Sequence, residues 1–159
     1  MRLTVIGCSP AWPNAASAHS GYLFEGRDGE RLLVDCGPGV LAELRKREWW
    51  PHVDAVAITH FPLDHWGDLV PWVWGAMYLA GAGEQVPRPE LWVHPNGREE
   101  LEAFGTRWGF RDMFDRVFAV RSYGEGEPFE AAGMRVEAIR LPHYALETYG
   151  FRVGDGDAT

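Results

Sequence analysis

The feature that most limits what this chain can fold into is a mostly apolar run of strand length, Val53-Asp54-Ala55-Val56-Ala57-Ile58. It passes without a break into Thr59-His60-Phe61-Pro62-Leu63-Asp64-His65-Trp66-Gly67-Asp68. Two imidazoles and two carboxylates thus follow a buried strand directly and precede the apolar stretch Leu69 to Ala82. Such a loop sits where open α/β sheets place their sites, at the carboxyl end of a strand. His60, Asp64 and His65 offer nitrogen and oxygen donors of the borderline kind that zinc accepts, and a turning loop can aim them at one point. A helix cap with polar surface neighbours uses the same residue types, so spacing alone leaves both readings open.

Around this segment the pattern predicts strands with helices between them. Leu3 to Ile6 reads as a strand, and the Pro, Ala, Ser and Asn-rich segment up to Ser20 as a loop. Gly21 to Phe24 and Arg31 to Asp35 flank Asp28-Gly29, whose backbone preferences suit a hairpin turn. Val40 to Glu48 carries Leu41 and Leu44 among charges, as a short amphipathic helix does. Asp68 is placed to cap the next helix, with Pro71 in its first turn. That helix is apolar almost all round, which predicts a sandwiched position. Leu91 to His94 reads as a buried strand and Asn96 to Gly105 as a helix. Arg116 to Arg121, Pro128 to Ala132, Met134 to Leu141 and Thr148 to Val153 read as strands. This order favours an α/β or α+β layered fold over an all-β barrel, with residues 1–159 as a single domain.

Composition narrows the function classes. Hydrophobic residues are 46% and charged residues 24% of the chain, which suits a packed core rather than disorder. The net charge is -8, and the 15 basic residues form no cluster, so nucleic-acid binding is not supported. Gly81 to Glu90 shows no long basic arm for gripping RNA. The longest apolar stretch is too short for a membrane span. Two cysteines, Cys8 and Cys36, make no disulfide framework, and a reducing, cytoplasmic setting is expected.

Several other residues read as structural. His94 is expected to be structural or at the surface, beside Pro95-Asn96-Gly97, and His19 and His52 to be surface residues. Cys36 beside Asp35 is expected to be a buried, inert thiol. Gly37-Pro38-Gly39 lacks the spacing of a phosphate loop and reads as a turn, so no cofactor-binding motif is assigned. Of the stripe Trp66, Trp72, Trp74 and Tyr78, core is the expected place for all but Trp66, which follows His65 directly.

Thr59 to Asp68 resembles the signature of the metallo-β-lactamase superfamily, Thr-His-x-His-x-Asp-His followed by a Gly- or Asp-rich helix start. Leu32 to Gly39 resembles the Asp-Cys-Gly hairpin end that precedes it, and Ile6 to Pro10 the first strand and loop. Leu141-Pro142-His143, followed by Thr148 to Val153, is similar to the next metal histidine and the strand behind it in the ribonuclease Z and phosphodiesterase-like branch. The resemblance implies an αββα sandwich and a zinc-dependent hydrolase, with phosphate esters as substrates attacked by a zinc-bound hydroxide. Carried over, His60 and His143 face one metal position and Asp64 and His65 the other. Asp64 also holds the attacking water, and Asp35 and Asp68 orient ligands or backbone from behind.

The chain departs from this pattern at Pro62, which stands where the family has its second histidine and offers no lone pair. It also stops before the later Asp and final His of the family, and Asp155 and Asp157 read as a hairpin turn rather than the bridging ligand. What remains is expected to hold one zinc ion rather than two. The C-terminal half of the sandwich is expected to be largely missing, leaving an apolar sheet face or edge that a second copy could cover. The competing expectation is a non-catalytic binding or assembly module that keeps the fold.

Overall fold

The computed structural model describes residues 1–154, and Asp155 and Asp157 lie outside them. Strands β1 (Arg2–Gly7), β2 (Gly21–Glu25) and β3 (Arg31–Val34) form an antiparallel meander. The chain then turns through helix α1 (Val40–Lys46) into β4 (Ala55–Ala57), which runs parallel to β3. After the short helix α2 (Leu63–Trp66) and the longer α3 (Leu69–Gly81), β5 (Glu90–Val93) adds parallel to β4. Helix α4 (Gly97–Arg107) and β6 (Ala119–Ser122) complete a six-stranded sheet in the order β1-β2-β3-β4-β5-β6. Strands β7 (Phe129–Ala131), β8 (Met134–Arg140) and β9 (Tyr149–Gly154) form a separate antiparallel sheet of three.

The alternation of side chains along β3 and β4 decides what each face of the large sheet packs against. Leu33 and Val56 point to one face, where with Leu23, Leu91 and Val93 they meet Leu41 and Leu44 of α1, Trp72 and Val73 of α3 and Leu101 of α4. Leu32, Val34, Ala55 and Ala57 point to the other and meet Ala131, Met134 and Val136 of the small sheet. Helices, large sheet and small sheet therefore stack as three layers, and the central strands are covered on both sides. The cover does not reach the edge. Leu3 and Val5 pair in register with Phe24 and Tyr22 and share the small-sheet face, yet they are 53% and 52% exposed. Among the described residues of the large sheet, Leu3 and Val5 thus leave an exposed apolar strip at β1.

Three expectations are corrected. The helix expected to be sandwiched, α3, buries only Leu69, Trp72, Val73 and Ala76, while Trp74, which meets Phe110, and Tyr78 are 54% and 78% exposed, because no described helix or strand lies across its outer side. Trp66 is the reverse: it is buried, ringed by Phe61, Phe104 and Phe114, and its indole N–H donates to the Phe61 carbonyl at 2.8 Å. Asp68 precedes α3 without capping it. Its carboxylate instead accepts the Leu41 N–H at 2.8 Å, and that of Gly39, at the start of α1. The sequence neighbour loses to the spatial one because β3 and the site loop bring the two helix starts together, through Asp68 N–H to Cys36 carbonyl at 3.0 Å. Among the described residues no helix is long and apolar enough to cross a membrane.

Two stability changes follow. Leu33→Ala, in a side chain with no exposed surface, should lower unfolding free energy by about 2–5 kcal/mol in urea titrations. Asp68→Ala should cost about 1 kcal/mol through the lost cap of α1, and Asp68→Asn much less.

Candidate functional site

The parallel strands end on one side of the sheet, and each delivers a polar residue there. Asp35 follows β3, Thr59 and His60 follow β4, His94 follows β5 and Tyr123 follows β6. Asp35 takes a positive φ of 61°, which turns it out of the strand direction, and it is 2% exposed. Its carboxylate accepts the Thr59 N–H at 2.9 Å, the Thr59 hydroxyl at 2.9–3.0 Å and His65 Nδ1–H at 2.6 Å. Because Thr59 gives its single proton to Asp35, its oxygen accepts from His60 Nδ1 at 2.9 Å. Both imidazoles are thereby held as Nδ1–H donors with their Nε2 lone pairs free. Gly37 is needed beside this network, since a Cβ there would collide with the Asp64 carbonyl oxygen.

The distant histidine arrives by the small sheet. Tyr149 N–H donates to the Thr59 carbonyl at 3.1 Å and Leu141 N–H to that of Thr148 at 3.0 Å, which docks the β8–β9 connection onto the end of β4. Tyr123 hydroxyl donates to the Ile58 carbonyl at 2.8 Å and packs edge-on against Tyr149. His143 then lies with its ring 5.1 Å from that of His60, which is itself 4.0 Å from that of His65. The structure thus brings together His60, Asp64, His65 and His143, and places Asp35 behind His65. It leaves Asp68 outside, capping α1.

The donor chemistry fits a metal in part. His65 Nε2 and Asp64 Oδ2 face each other at 3.4 Å, and two ligands about 2.1 Å from a tetrahedral zinc are about 3.4 Å apart. Among the described residues, however, no three His, Cys, Asp or Glu side chains are placed to hold one ion together. Pro62 opens α2 in an extended conformation and contributes no donor.

Burial and neighbours set the protonation of the site. His60 is 5% exposed, and burial, with the nearby His65 and His143 rings, lowers it to about 4. For His65 burial works against the charged ring, but the Asp35 hydrogen bond and charge, with Asp64, outweigh it and raise the value. Cys36 has no exposed surface, and burial followed by Asp68 and Asp35 pushes its thiol well up, as an inert thiol requires.

Sequence reading missed two residues here. The Thr59 hydroxyl carries the network and Tyr123 pins the strand end. Of the structural and surface places expected for His94 the structure shows the structural one, at 5% exposure, whereas His19, expected at the surface, is half-buried with its Nδ1 enclosed. A polar residue immediately after each strand was the available signal. His52 is exposed, as expected.

In chelator-treated protein, histidine NMR titration should keep His60 neutral down to about 4 and find His65 protonated to above 6.5. Asp35→Asn should drop the His65 value. Between 6.5 and about 4 the unfolded chain binds a proton at His60 that the folded chain refuses. Stability from His60 therefore falls on acidification through that window, and His60→Gln should flatten the fall. The His65 contribution has the opposite sign, present below 6.5 and lost as pH rises through its raised value.

Comparison with known proteins gives the family and the fold. The family model described as Anti-Pycsar protein Apyc1 matches residues 1–158. A protein of Bacillus subtilis (strain 168) named "Probable metallo-hydrolase YhfI" is 28% identical over 159 residues, covering 100% of this chain and 61% of its own. The Anti-Pycsar protein Apyc1 of Paenibacillus sp. (strain J14) is 30% identical, covering 90% and 58%, and the ribonuclease Z of Archaeoglobus fulgidus 26%, covering 98% and 48%. The crystal structure of the metallo-beta-lactamase fold protein YhfI superposes with a TM-score of 0.82 at 26% identity, covering 98% of this chain and 59% of that one. The chain spans roughly half to three fifths of the length of the curated relatives it matches. With the layered sheets, the strand-end loop and the family match in agreement, the chain belongs to the Anti-Pycsar Apyc1 family and has the metallo-β-lactamase fold.

Proposed function

We propose that this chain carries the catalytic half-site of a zinc-dependent phosphodiester hydrolase. The observation behind the reading is the meeting of His143 with His60 and His65 across a long sequence separation, beside a buried carboxylate that orients His65 directly and His60 through Thr59. Relatives named metallo-hydrolase and ribonuclease Z support the reaction class. A zinc ion, held by His60, Asp64, His65 and His143, would supply Lewis acidity and bring the pKa of water to roughly 7.

The chain's own residues do the rest. Asp35 and Thr59 fix the ring tautomers, so the Nε2 lone pairs point out of the network instead of into it. The low value of His60 keeps that ring unprotonated at neutral pH and able to donate its lone pair. Asp64, beside His65 Nε2, is the carboxylate placed to accept a proton from the attacking water.

A second reading, a non-catalytic binding or assembly module, is favoured by Pro62 and by the lack of three converging donors among the described residues. In that case a second copy covers the exposed Leu3 and Val5 strip, which sedimentation equilibrium would read as a dimer.

Elemental analysis and hydrolysis of bis(p-nitrophenyl) phosphate separate the two. On the hydrolase reading the purified protein contains zinc, and His60→Ala or His143→Ala removes both metal and turnover. Asp35→Ala lowers turnover by about 10–100-fold, and Pro62→His raises zinc occupancy. Zinc content near zero, with no turnover and unchanged stability in both histidine variants, would leave only the module.

A further inference from the structure

The connection between β8 and β9 does more than carry His143. Leu146 N–H donates to the His143 carbonyl at 3.1 Å, which closes a tight turn over Tyr144 and Ala145. Ala145, Leu146 and Glu147 then line a cavity of about 430 Å³ against Phe61 and Pro62 of the site loop. Tyr144 does not follow them. Its ring stands in solvent, 96% exposed, with its centroid 5.0 Å from that of His143 at an interplanar angle of 59°.

Two features set Tyr144 apart from an ordinary surface tyrosine. The first is its backbone. Its φ is 51°, in the left-handed region where a Cβ crowds the main chain, and the first central position of a turn with positive φ is usually Gly, Asn or Asp. Tyrosine is the strained choice where glycine would fit freely. The second is its ring. Tyr123 and Tyr149, behind the site, are buried with their hydroxyls hydrogen-bonded, whereas among the described residues Tyr144 has its ring against His143 alone. Neither the turn nor the packed layers use that ring, so fold stability does not account for it. The flat face it offers lies one ring away from the cluster of His60, His65 and His143.

We propose that Tyr144 is a stacking platform that selects phosphate esters bearing a flat aromatic group, with the phosphoryl oxygens at the histidine cluster and the aromatic ring on the Tyr144 face. As a statement about substrate the inference rests on the hydrolase reading, and it adds which alcohol the ester carries. Offset or edge-on aromatic pairs attract through their ring quadrupoles and remove apolar surface from water on both partners. A saturated ring of similar size buries comparable area without that geometry. The left-handed φ fixes the direction in which the Tyr144 Cβ leaves the main chain, and His143 stands on one flank of the ring. The platform is therefore aimed before a ligand arrives, which lowers the entropy lost on binding.

The test compares phenyl phosphate with cyclohexyl phosphate, which match in charge and nearly in size, by NMR titration of the purified full chain, the Tyr144 ring signals being assigned through Tyr144→Phe. Phenyl phosphate should bind about tenfold tighter and shift the Tyr144 ring signals, a factor in keeping with the loss of one stacked ring. Tyr144→Gly should lose that tenfold for phenyl phosphate and leave cyclohexyl phosphate within about twofold. Its thermal midpoint should not fall, because glycine accepts a positive φ. Tyr144→Phe should keep the preference, since it keeps the ring. No binding of phenyl phosphate, equal affinities of the two esters, a preference that survives Tyr144→Gly, or one that is lost in Tyr144→Phe would overturn the platform. Turnover of bis(p-nitrophenyl) phosphate separates the platform from the reading beneath it. A preference that depends on Tyr144 without turnover removes the hydrolase reading and keeps the platform. Turnover with equal affinities does the reverse.

Discussion

A single buried carboxylate, Asp35, organises the reactive end of this molecule. Burying a charge costs several kcal/mol unless hydrogen bonds replace its water, and here Thr59 and His65 supply them at 2.6–3.0 Å. Those bonds have a second effect. They tie the end of β3 to the end of β4 and to α2, and they decide which nitrogen of each ring faces outward. An Asp35 that lost its partners would be an uncompensated charge under the sheet, so solvation of the carboxylate and assembly of the site are one condition.

The remaining parts are brought in by topology. Parallel strands ending side by side put Asp35, Thr59, His94 and Tyr123 in one row, a consequence of crossovers that always return to the same edge of the sheet. His143 comes from the other sheet, and its place depends on backbone hydrogen bonds between Tyr149 and Thr59. The small sheet therefore has two roles, covering Leu32, Val34, Ala55 and Ala57 and carrying the distant histidine. The stretch that carries His143 also supplies Glu147, which links the histidine cluster to the cavity beside it.

Much of this architecture was legible in the residues. The β2–β3 hairpin pairs as its Asp28-Gly29 turn suggested, with Gly29 at φ 92°. The strand before Thr59 lies in the middle of the large sheet, and the helices fall within a few residues of their expected bounds. The resemblance to the metallo-β-lactamase signature pointed to the fold that the comparisons show, and to four residues that do meet in space. What failed was the assignment of faces. Trp66, Trp74 and Tyr78 are all aromatic and close in sequence, and only the layer packed against each one separates buried from exposed. Asp68 was misassigned for a similar reason, since the helix start nearest in sequence is not the nearest in space.

Sequence by itself determined the donor types and the strand and helix periodicities, because these are properties of side-chain chemistry and local spacing. Tertiary structure decided which histidine nitrogens are free, which carboxylate is buried and that His94 is enclosed beside Glu147. Those depend on contacts between segments far apart along the chain, as from Asp35 to His65 and from His94 to Glu147. Burial turns such contacts into shifted protonation and unmet hydrogen bonds, and burial is set by what packs from the opposite side.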